Sequence, residues 1–79
     1  MVPEERFKEI VAQYCDVKPE DMKDDLRFRE DLGFSSLDFM SLLGELEDEF
    51  DVELEEDKVV KIQTIKEAMD LIGELKEEK

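Results

Sequence analysis

Apolar residues recur at helical spacing in three stretches of the chain, and each stretch predicts an amphipathic helix. The first covers residues 3–15. Its predicted buried stripe consists of Phe7, Ile10, Val11 and Tyr14. The second begins at Ser35 or Ser36 and ends near residue 50. Its predicted stripe consists of Leu37, Met40, Leu43, Leu46 and Phe50. The third follows Thr64. Its predicted inner face consists of Ile65, Ala68, Met69, Ile72 and Leu75.

The segments between these helices differ in kind. From residue 16 to residue 35 the helical period is lost, and only the isolated apolar residues Leu26, Phe28 and Leu32 remain. Such a long connection in a small domain predicts an ordered loop that lies over the core. Residues 57–62 predict a short helix of one or two turns. The fold class is therefore all-α, with three main helices, one short helix and a long loop between the first two helices.

Polar residues at the helix ends support these boundaries. Pro3 suits a first helical position, because its missing N–H would have no partner there. Thr64 and Glu67 have the spacing of a capping box, with Thr64 as the N-cap of the last helix. Lys76 and Lys79 lie near the end of that helix, where its dipole favours cations.

The amino-acid composition excludes several classes of function. The chain has 79 residues, so we expect a single domain over residues 1–79. With 25 acidic and 11 basic side chains its net charge is −14, which argues against binding to nucleic acid or to an anionic membrane. The absence of His and the single Cys exclude the common zinc sites, His-dependent catalytic triads and an internal disulfide. Residues 1–6 do not resemble a signal peptide, and no apolar run is long enough to span a bilayer, so we expect a cytoplasmic protein.

The acidic charge is concentrated in one segment. Residues 30–57, here called the acidic segment, contain twelve Asp or Glu and no Lys or Arg, so they carry −12 of the total charge of −14. Such a run can be a solvated face. However, like charges spaced three or four residues apart, as at Glu45, Asp48 and Glu49, destabilise a helix. We therefore favour a role for the acidic segment in attracting basic partners.

Two adjacent serines at the start of the second helix have different predicted roles. Ser35 is the predicted N-cap, and Asp38 completes the capping box. Ser36 then lies at the first helical position with a free hydroxyl group. A phosphate attached there would meet unpaired backbone N–H groups and the positive end of the helix dipole. Ser36 is a poor candidate nucleophile, since no base lies near it in the sequence.

Residues 31–38, Asp-Leu-Gly-Phe-Ser-Ser-Leu-Asp, resemble the Asp-Leu-Gly-x-Asp-Ser-Leu-Asp signature of acyl carrier proteins. The resemblance extends over nearly the whole chain. It includes the segments Glu-Arg-Phe-Lys-Glu-Ile-Val at 5–11, Val-Lys-Pro-Glu-Asp at 17–21, Leu-Glu-Asp-Glu-Phe at 46–50 and Lys-Ile-Gln-Thr-Ile at 61–65. Placed in a helical pattern of matching length and acidity, the signature is specific.

The resemblance implies a four-helix bundle in which Ser36 receives 4'-phosphopantetheine from coenzyme A. A separate Mg²⁺-dependent phosphopantetheinyl transferase attaches this arm, whose terminal thiol holds acyl groups as thioesters. The chain would then be a monomeric, non-catalytic carrier for acyltransferases, ketosynthases and other acyl-processing enzymes with basic docking patches. The positions that match the family's partner-binding surface are Leu37, Asp38, Met40, Glu47 and Asp48. The positions that match its acyl-chain cavity are Leu46, Phe50, Leu54, Ile62 and Ala68.

Three positions depart from the family pattern. Ser35 replaces an acid, Ser41 stands where Glu is frequent, and Gly44 stands where a larger apolar residue is common. They leave open whether the pathway is fatty acid synthesis or a specialised polyketide, lipid or amino-acyl pathway.

The main alternative function is an acidic interaction module that is never modified, such as a nucleic-acid mimic. A calcium protein lacks the required loop spacing, and a hydrolase lacks a His.

Overall fold

The computed structural model describes residues 3–77, with side chains described for residues 3–76. The expected role of Lys79 lies outside the described residues. Four α-helices follow one another: α1 (Glu4–Ala12), α2 (Ser36–Phe50), α3 (Glu56–Val59) and α4 (Ile65–Glu77). A 3-10 turn (Pro19–Asp21) lies in the loop between α1 and α2. Extended pairing among the described residues is limited to one bridge between Arg27 and Thr64. The all-α prediction is confirmed. None of the described helices is long and apolar enough to cross a membrane.

Two helices are shorter than their apolar patterns predict. Pro3 is the N-cap of α1 rather than its first residue, and α1 ends at Ala12. Beyond it, the N–H groups of Gln13 and Tyr14 bond to carbonyls three residues back, at 3.1 and 3.0 Å, which is the tighter geometry of a helix end. Helix α3 comprises only four residues, 56–59, instead of the predicted 57–62. Apolar side chains after both helices still pack inward, so periodicity alone overestimates their length.

The core is built from all four helices and the long loop. Its largest fully buried side chains are Phe7, Phe28, Ile10, Leu42, Leu46, Ile65, Ile72 and Val11. Aromatic rings connect the layers: Phe7 packs against Phe50 with centroids 6.5 Å apart, and Phe28 contacts Phe34 at 5.5 Å and Phe39 at 5.4 Å. Burial of these rings supplies much of the driving force for folding.

The predicted stripe of α2 is wrong at its start. Leu37 and Met40 are 81% and 65% exposed, whereas Leu42 is fully buried and Phe39 is half-buried. The reason is geometric: three residues turn a helix by about 300°, so three successive steps of three carry Leu37 about 180° away from Leu46. The two exposed side chains therefore form part of the surface, although both are apolar.

The long loop is ordered, as predicted. Its buried anchors are Met22, Phe28, Leu32 and Phe34. Three backbone bonds of 2.9–3.0 Å join it to the start of α4: Phe28 N–H to the carbonyl of Gln63, Ile65 N–H to that of Leu26, and Lys66 N–H to that of Asp24. From α1, the ammonium group of Lys8 donates to the carbonyl of Met22 at 2.8 Å. These bonds therefore tie the loop that precedes α2 to both α4 and α1.

Candidate functional site

The approach to α2 is a closed turn over residues 27–34. Asp31 Oδ2 accepts the backbone N–H of Arg27 at 2.8 Å and its Nε at 3.3 Å. The N–H groups of Asp31 and Leu32 both bond to the carbonyl of Arg27 at 3.0 Å. The Arg27 backbone N–H, and then its guanidinium, hold the pKa of the Asp31 carboxyl below its ordinary value. Gly33 leaves the turn at φ 74°, in the left-handed region where a side chain would be strained.

The capping prediction for Ser35 is confirmed. Its hydroxyl accepts the N–H of Asp38 at 3.1 Å, and the Asp38 carboxylate accepts the N–H of Ser35 at 3.3 Å. Because Ser35 takes the cap, Ser36 becomes the first residue of α2 and its side chain is exposed. The N–H groups of Ser36 and Leu37 belong to the first turn, where a helix offers no internal acceptor.

The hydroxyl of Ser36 is not free of contacts, which corrects one expectation. Arg29 Nη2 donates to Ser36 Oγ at 3.4 Å. Among the described residues this is the one hydrogen bond of the Ser36 side chain. An arginine cannot accept a proton, so this contact does not activate Ser36 as a nucleophile. The role of Arg29 was not predicted from the sequence, since the contact depends on the fold of the turn that separates the two residues.

Beside Ser36 lies an open groove of about 680 Å³ between the turn, α2 and α3. Its apolar lining consists of Phe28, Phe39, Met40, Leu43, Gly44, Leu54, Val59, Val60 and Ile62. Ser36 and Arg29 lie on the same groove, which extends along α2 past Gly44. The groove is open to solvent, so a ligand can enter it without prior opening of the core.

The predicted cavity residues fall into two groups. Leu54 and Ile62 line the groove. Leu46, Phe50 and Ala68 are 1%, 4% and 2% exposed, pack in the core and do not line the groove. A chain lying in the groove would therefore contact the first group, and it would reach the second only by displacing core packing.

The five predicted partner-binding residues differ in their availability. Leu37 and Met40 are exposed. Val60, the C-cap of α3, was not among the predicted partner-binding residues and is 69% exposed as well. The Asp38 carboxylate is used in the capping box. Glu47 Oε2 accepts the N–H of Leu54 at 3.0 Å, so this carboxylate holds the chain after α2.

Asp48 is exposed and makes no hydrogen bond or ion pair with the other described residues, so its charge faces solvent. A neighbouring acid on α2 is neutralised instead. Arg6 Nη2 donates to Glu49 Oε1 at 3.0 Å, and this bond holds the pKa of Glu49 below its ordinary value. Within the part of the chain that the structure describes, no group of three or more acids or cysteines is arranged to hold a metal ion.

A family model described as "Phosphopantetheine attachment site" matches residues 5–72. The chain belongs to this family. An acyl carrier protein from Thermotoga maritima superposes with a TM-score of 0.78 at 32% sequence identity, over 92% of this chain and 85% of that one. An acyl carrier protein from Enterococcus faecalis superposes with a TM-score of 0.79 at 30% identity, over 90% of both chains. The phosphopantetheine-attachment fold and the acyl-carrier resemblance are thereby confirmed.

The prosthetic group of the family, 4'-phosphopantetheine, fits the entrance of α2. The group needs an exposed hydroxyl, donors for its phosphate and an adjacent open surface. Ser36 offers the hydroxyl, the first turn of α2 and Arg29 offer donors, and the groove starts beside them. When bound, the group supplies a terminal thiol that carries acyl groups as thioesters.

Proposed function

We propose that Ser36 carries 4'-phosphopantetheine and that the chain is an acyl carrier protein, a single non-catalytic domain that acts as a monomer. It would present acyl thioesters to enzymes of fatty acid, polyketide or specialised lipid biosynthesis. The proposal rests mainly on the different positions of the two serines, one at the N-cap of α2 and the other at its first residue. Ser35 supplies the cap hydrogen bond, which leaves the exposed Ser36 hydroxyl available for modification.

We propose that the acyl chain lies in the groove along α2. Ser36, Met40, Gly44 and Glu47 follow one another at steps of three or four residues along the same side of the helix, and all line the groove. An arm on Ser36 that follows this side of the helix would therefore run along the groove, and the acyl chain at its terminal thiol would lie against the apolar residues that line it. Leu54 and Ile62 form part of the opposite walls, and burial against them would favour acyl groups over the free thiol.

The partner surface that we propose is the exposed apolar patch of Leu37, Met40 and Val60, together with the acidic charge of Asp48. Exposed apolar side chains rimmed by charge are typical of interaction sites. The charge would attract the basic docking patches of the transferase, acyltransferases and ketosynthases and would raise the rate of encounter.

Attachment is tested by co-expression with a phosphopantetheinyl transferase and intact-mass measurement. We expect one increment of the mass of phosphopantetheine in the wild type and in Ser35→Ala and Ser41→Ala. Ser36→Ala should show none. Loss in Ser35→Ala with retention in Ser36→Ala would shift the assignment by one residue. A wild-type protein that gains no mass with several transferases would favour the unmodified acidic interaction module.

The partner surface is tested by charge reversal at Asp48. Asp48→Lys should lower the association rate with the transferase at low salt, and the effect should shrink as salt is raised. Glu47→Lys is a poorer test, because it also removes the bond to Leu54. Glu20→Lys, an equal change of charge in the 3-10 turn outside the acidic segment, is the control. Equal rates for Asp48→Lys and Glu20→Lys would remove Asp48 from the proposed surface.

A further inference from the structure

Arg29 is unusual among the cations of the turn. Arg27, two residues earlier, forms ion pairs with Glu30 and Asp31. Arg29 forms no ion pair with any residue that the structure describes, although the chain has more than twice as many acids as bases. Its one hydrogen bond in the described part of the chain goes to Ser36 Oγ, at 3.4 Å. The guanidinium therefore lies beside the hydroxyl and is not neutralised by an ion pair with the described residues.

Attachment of a phosphodiester at Ser36 would add a negative charge where negative charge is already concentrated. Ser36 lies within the acidic segment, and the carboxylates of Glu30, Asp31 and Asp38 belong to the same turn and the first turn of α2. Like charges that lie close together repel one another even when they are exposed. The first-turn N–H groups of α2 offset part of this repulsion. A cation at the site would offset more.

The guanidinium of Arg29 has the required position and shape. It already lies within hydrogen-bond distance of the oxygen to which the phosphorus would be attached. The two unesterified oxygens of the phosphodiester lie one bond beyond that phosphorus. A guanidinium presents parallel N–H groups that match two such oxygens, whereas an ammonium group acts as a point charge.

We propose that Arg29 is a positioning residue that binds the phosphate of the arm and directs the arm into the groove. This inference rests on the proposed function, since it requires an arm on Ser36. Arg29 and Ser36 both line the groove at the end where the arm would start. A phosphate held between Arg29 and the start of α2 would place the next atoms of the arm at the end of the groove, which continues along α2.

The test compares apo and holo forms of the wild type, Arg29→Gln and Arg29→Lys, with full loading verified by intact mass. Holo minus apo melting temperature is the first readout. We expect this difference to be lower in Arg29→Gln than in the wild type by about 2–4 °C at low salt, the size expected for one exposed charged contact in a domain of this length. Arg29→Lys should lie between them. The deficit should shrink at 0.5 M NaCl.

The ³¹P resonance of the phosphodiester is the second readout, because a merely structural role of Arg29 would not move it. We expect its chemical shift to change in Arg29→Gln and to be unchanged in Lys23→Gln. Lys23 is exposed and lies outside the acidic segment, so this control removes the same charge elsewhere. The apo melting temperatures should be similar in all variants.

Different results would overturn the proposed function and the role of Arg29. If no arm is attached to Ser36 in the wild type, the proposed function is wrong and Arg29 has no phosphate to bind. If the arm is attached, but Arg29→Gln shows the wild-type holo minus apo difference and the wild-type ³¹P shift, the role of Arg29 is overturned and the carrier function stands. If Lys23→Gln reproduces the effects of Arg29→Gln, net charge alone explains them and the positioning role is equally overturned.

Discussion

Ser35 and Ser36 are adjacent, but only the Ser35 hydroxyl caps helix α2. Substitution of each serine by Ala should therefore change the stability of the protein by different amounts. Ser35→Ala removes the hydroxyl that accepts the N–H of Asp38, so we expect a loss of about 0.5–2 kcal/mol in the free energy of unfolding. Ser36→Ala removes only an exposed contact with Arg29, and we expect a change within about 0.5 kcal/mol. Urea denaturation of the apo proteins measures both values. Equal losses in the two variants would contradict this assignment of the cap.

Gly44 and Gly33 form a matched pair for a second test. A Cβ added at either position would meet nothing within 4 Å, so sterics do not distinguish them. Gly44 has helical geometry inside α2, and Gly44→Ala should stabilise the apo protein by about 0.5–1 kcal/mol. Gly33 lies at φ 74°, and Gly33→Ala should destabilise it by about 1–2 kcal/mol. Chemical denaturation measures both, and a destabilised Gly44→Ala protein would show that this glycine is needed by the fold itself.

Contacts between residues that are close in the sequence were predicted correctly, whereas a contact between more distant residues was not. Both capping boxes, Ser35 with Asp38 and Thr64 with Glu67, were predicted correctly because the partners are three residues apart on one helix turn. The contact of Arg29 with Ser36 was missed. It spans seven residues, and it forms only because the turn closes on itself and leaves through the left-handed Gly33.

At the scale of elements, the turn over residues 27–34 gives a pH-dependent contribution to stability. Asp31 closes this turn, and its pKa is lowered by the backbone N–H and then the guanidinium of Arg27. A carboxyl with a lower pKa in the folded state stabilises the fold above its unfolded pKa, about 3.9, and loses that contribution as the pH falls through its folded pKa. The contribution of the ionised Asp31 carboxyl to the stability of the fold is therefore fully present at neutral pH and absent in strong acid.

Asp31→Asn isolates this contribution, since Asn keeps an acceptor oxygen and cannot ionise. We expect the wild type to exceed Asp31→Asn in stability by a constant amount between pH 7 and about pH 5, and the two to converge below about pH 4. Protonation of the other acids acts on both proteins and cancels in the difference. Urea denaturation at each pH gives the two curves. A difference that persists unchanged at pH 3 would show that the charge of Asp31 does not contribute.

The elements themselves were predictable to different degrees. The order of the helices, the ordered loop and the start of α2 follow from spacing and capping residues. Their ends were less predictable, because Tyr14 still packs inward after α1 ends, with its ring 6.0 Å from that of Phe34. The exposed face of α2 was misassigned because Leu37 and Met40 are apolar, and burial is the usual fate of such residues. Both lie on the surface proposed for partners.

The net charge of the molecule is distributed unevenly along the chain. Outside the acidic segment the chain carries only −2 of its −14, so repulsion is concentrated along α2 and the loop after it. Some of these acids are compensated: Glu30 and Asp31 pair with Arg27, and Glu49 pairs with Arg6. The surface of α2 nevertheless keeps uncompensated charge at Asp48, in the region proposed for partners. On the proposed partner surface, attraction of basic partners and stability of the free protein would therefore favour opposite charges at the same residues.

Added salt should stabilise the free protein, because it screens the repulsion between the acidic side chains. Screening reaches about 10 Å at 0.1 M salt, so raising NaCl from 20 mM to 0.5 M should increase the apo melting temperature. Asp48→Asn should raise the low-salt melting temperature by about 1–4 °C, because it removes like-charge pairs on α2, and it should reduce the response to salt. Glu20→Gln neutralises an exposed acid outside the acidic segment and should change the salt response less. A melting temperature that is indifferent to salt, or equal responses in the two variants, would mean that the charges of α2 do not repel one another appreciably. The slower encounter expected for Asp48→Lys would then have to arise from direct contact with the partner rather than from the field of the acidic segment.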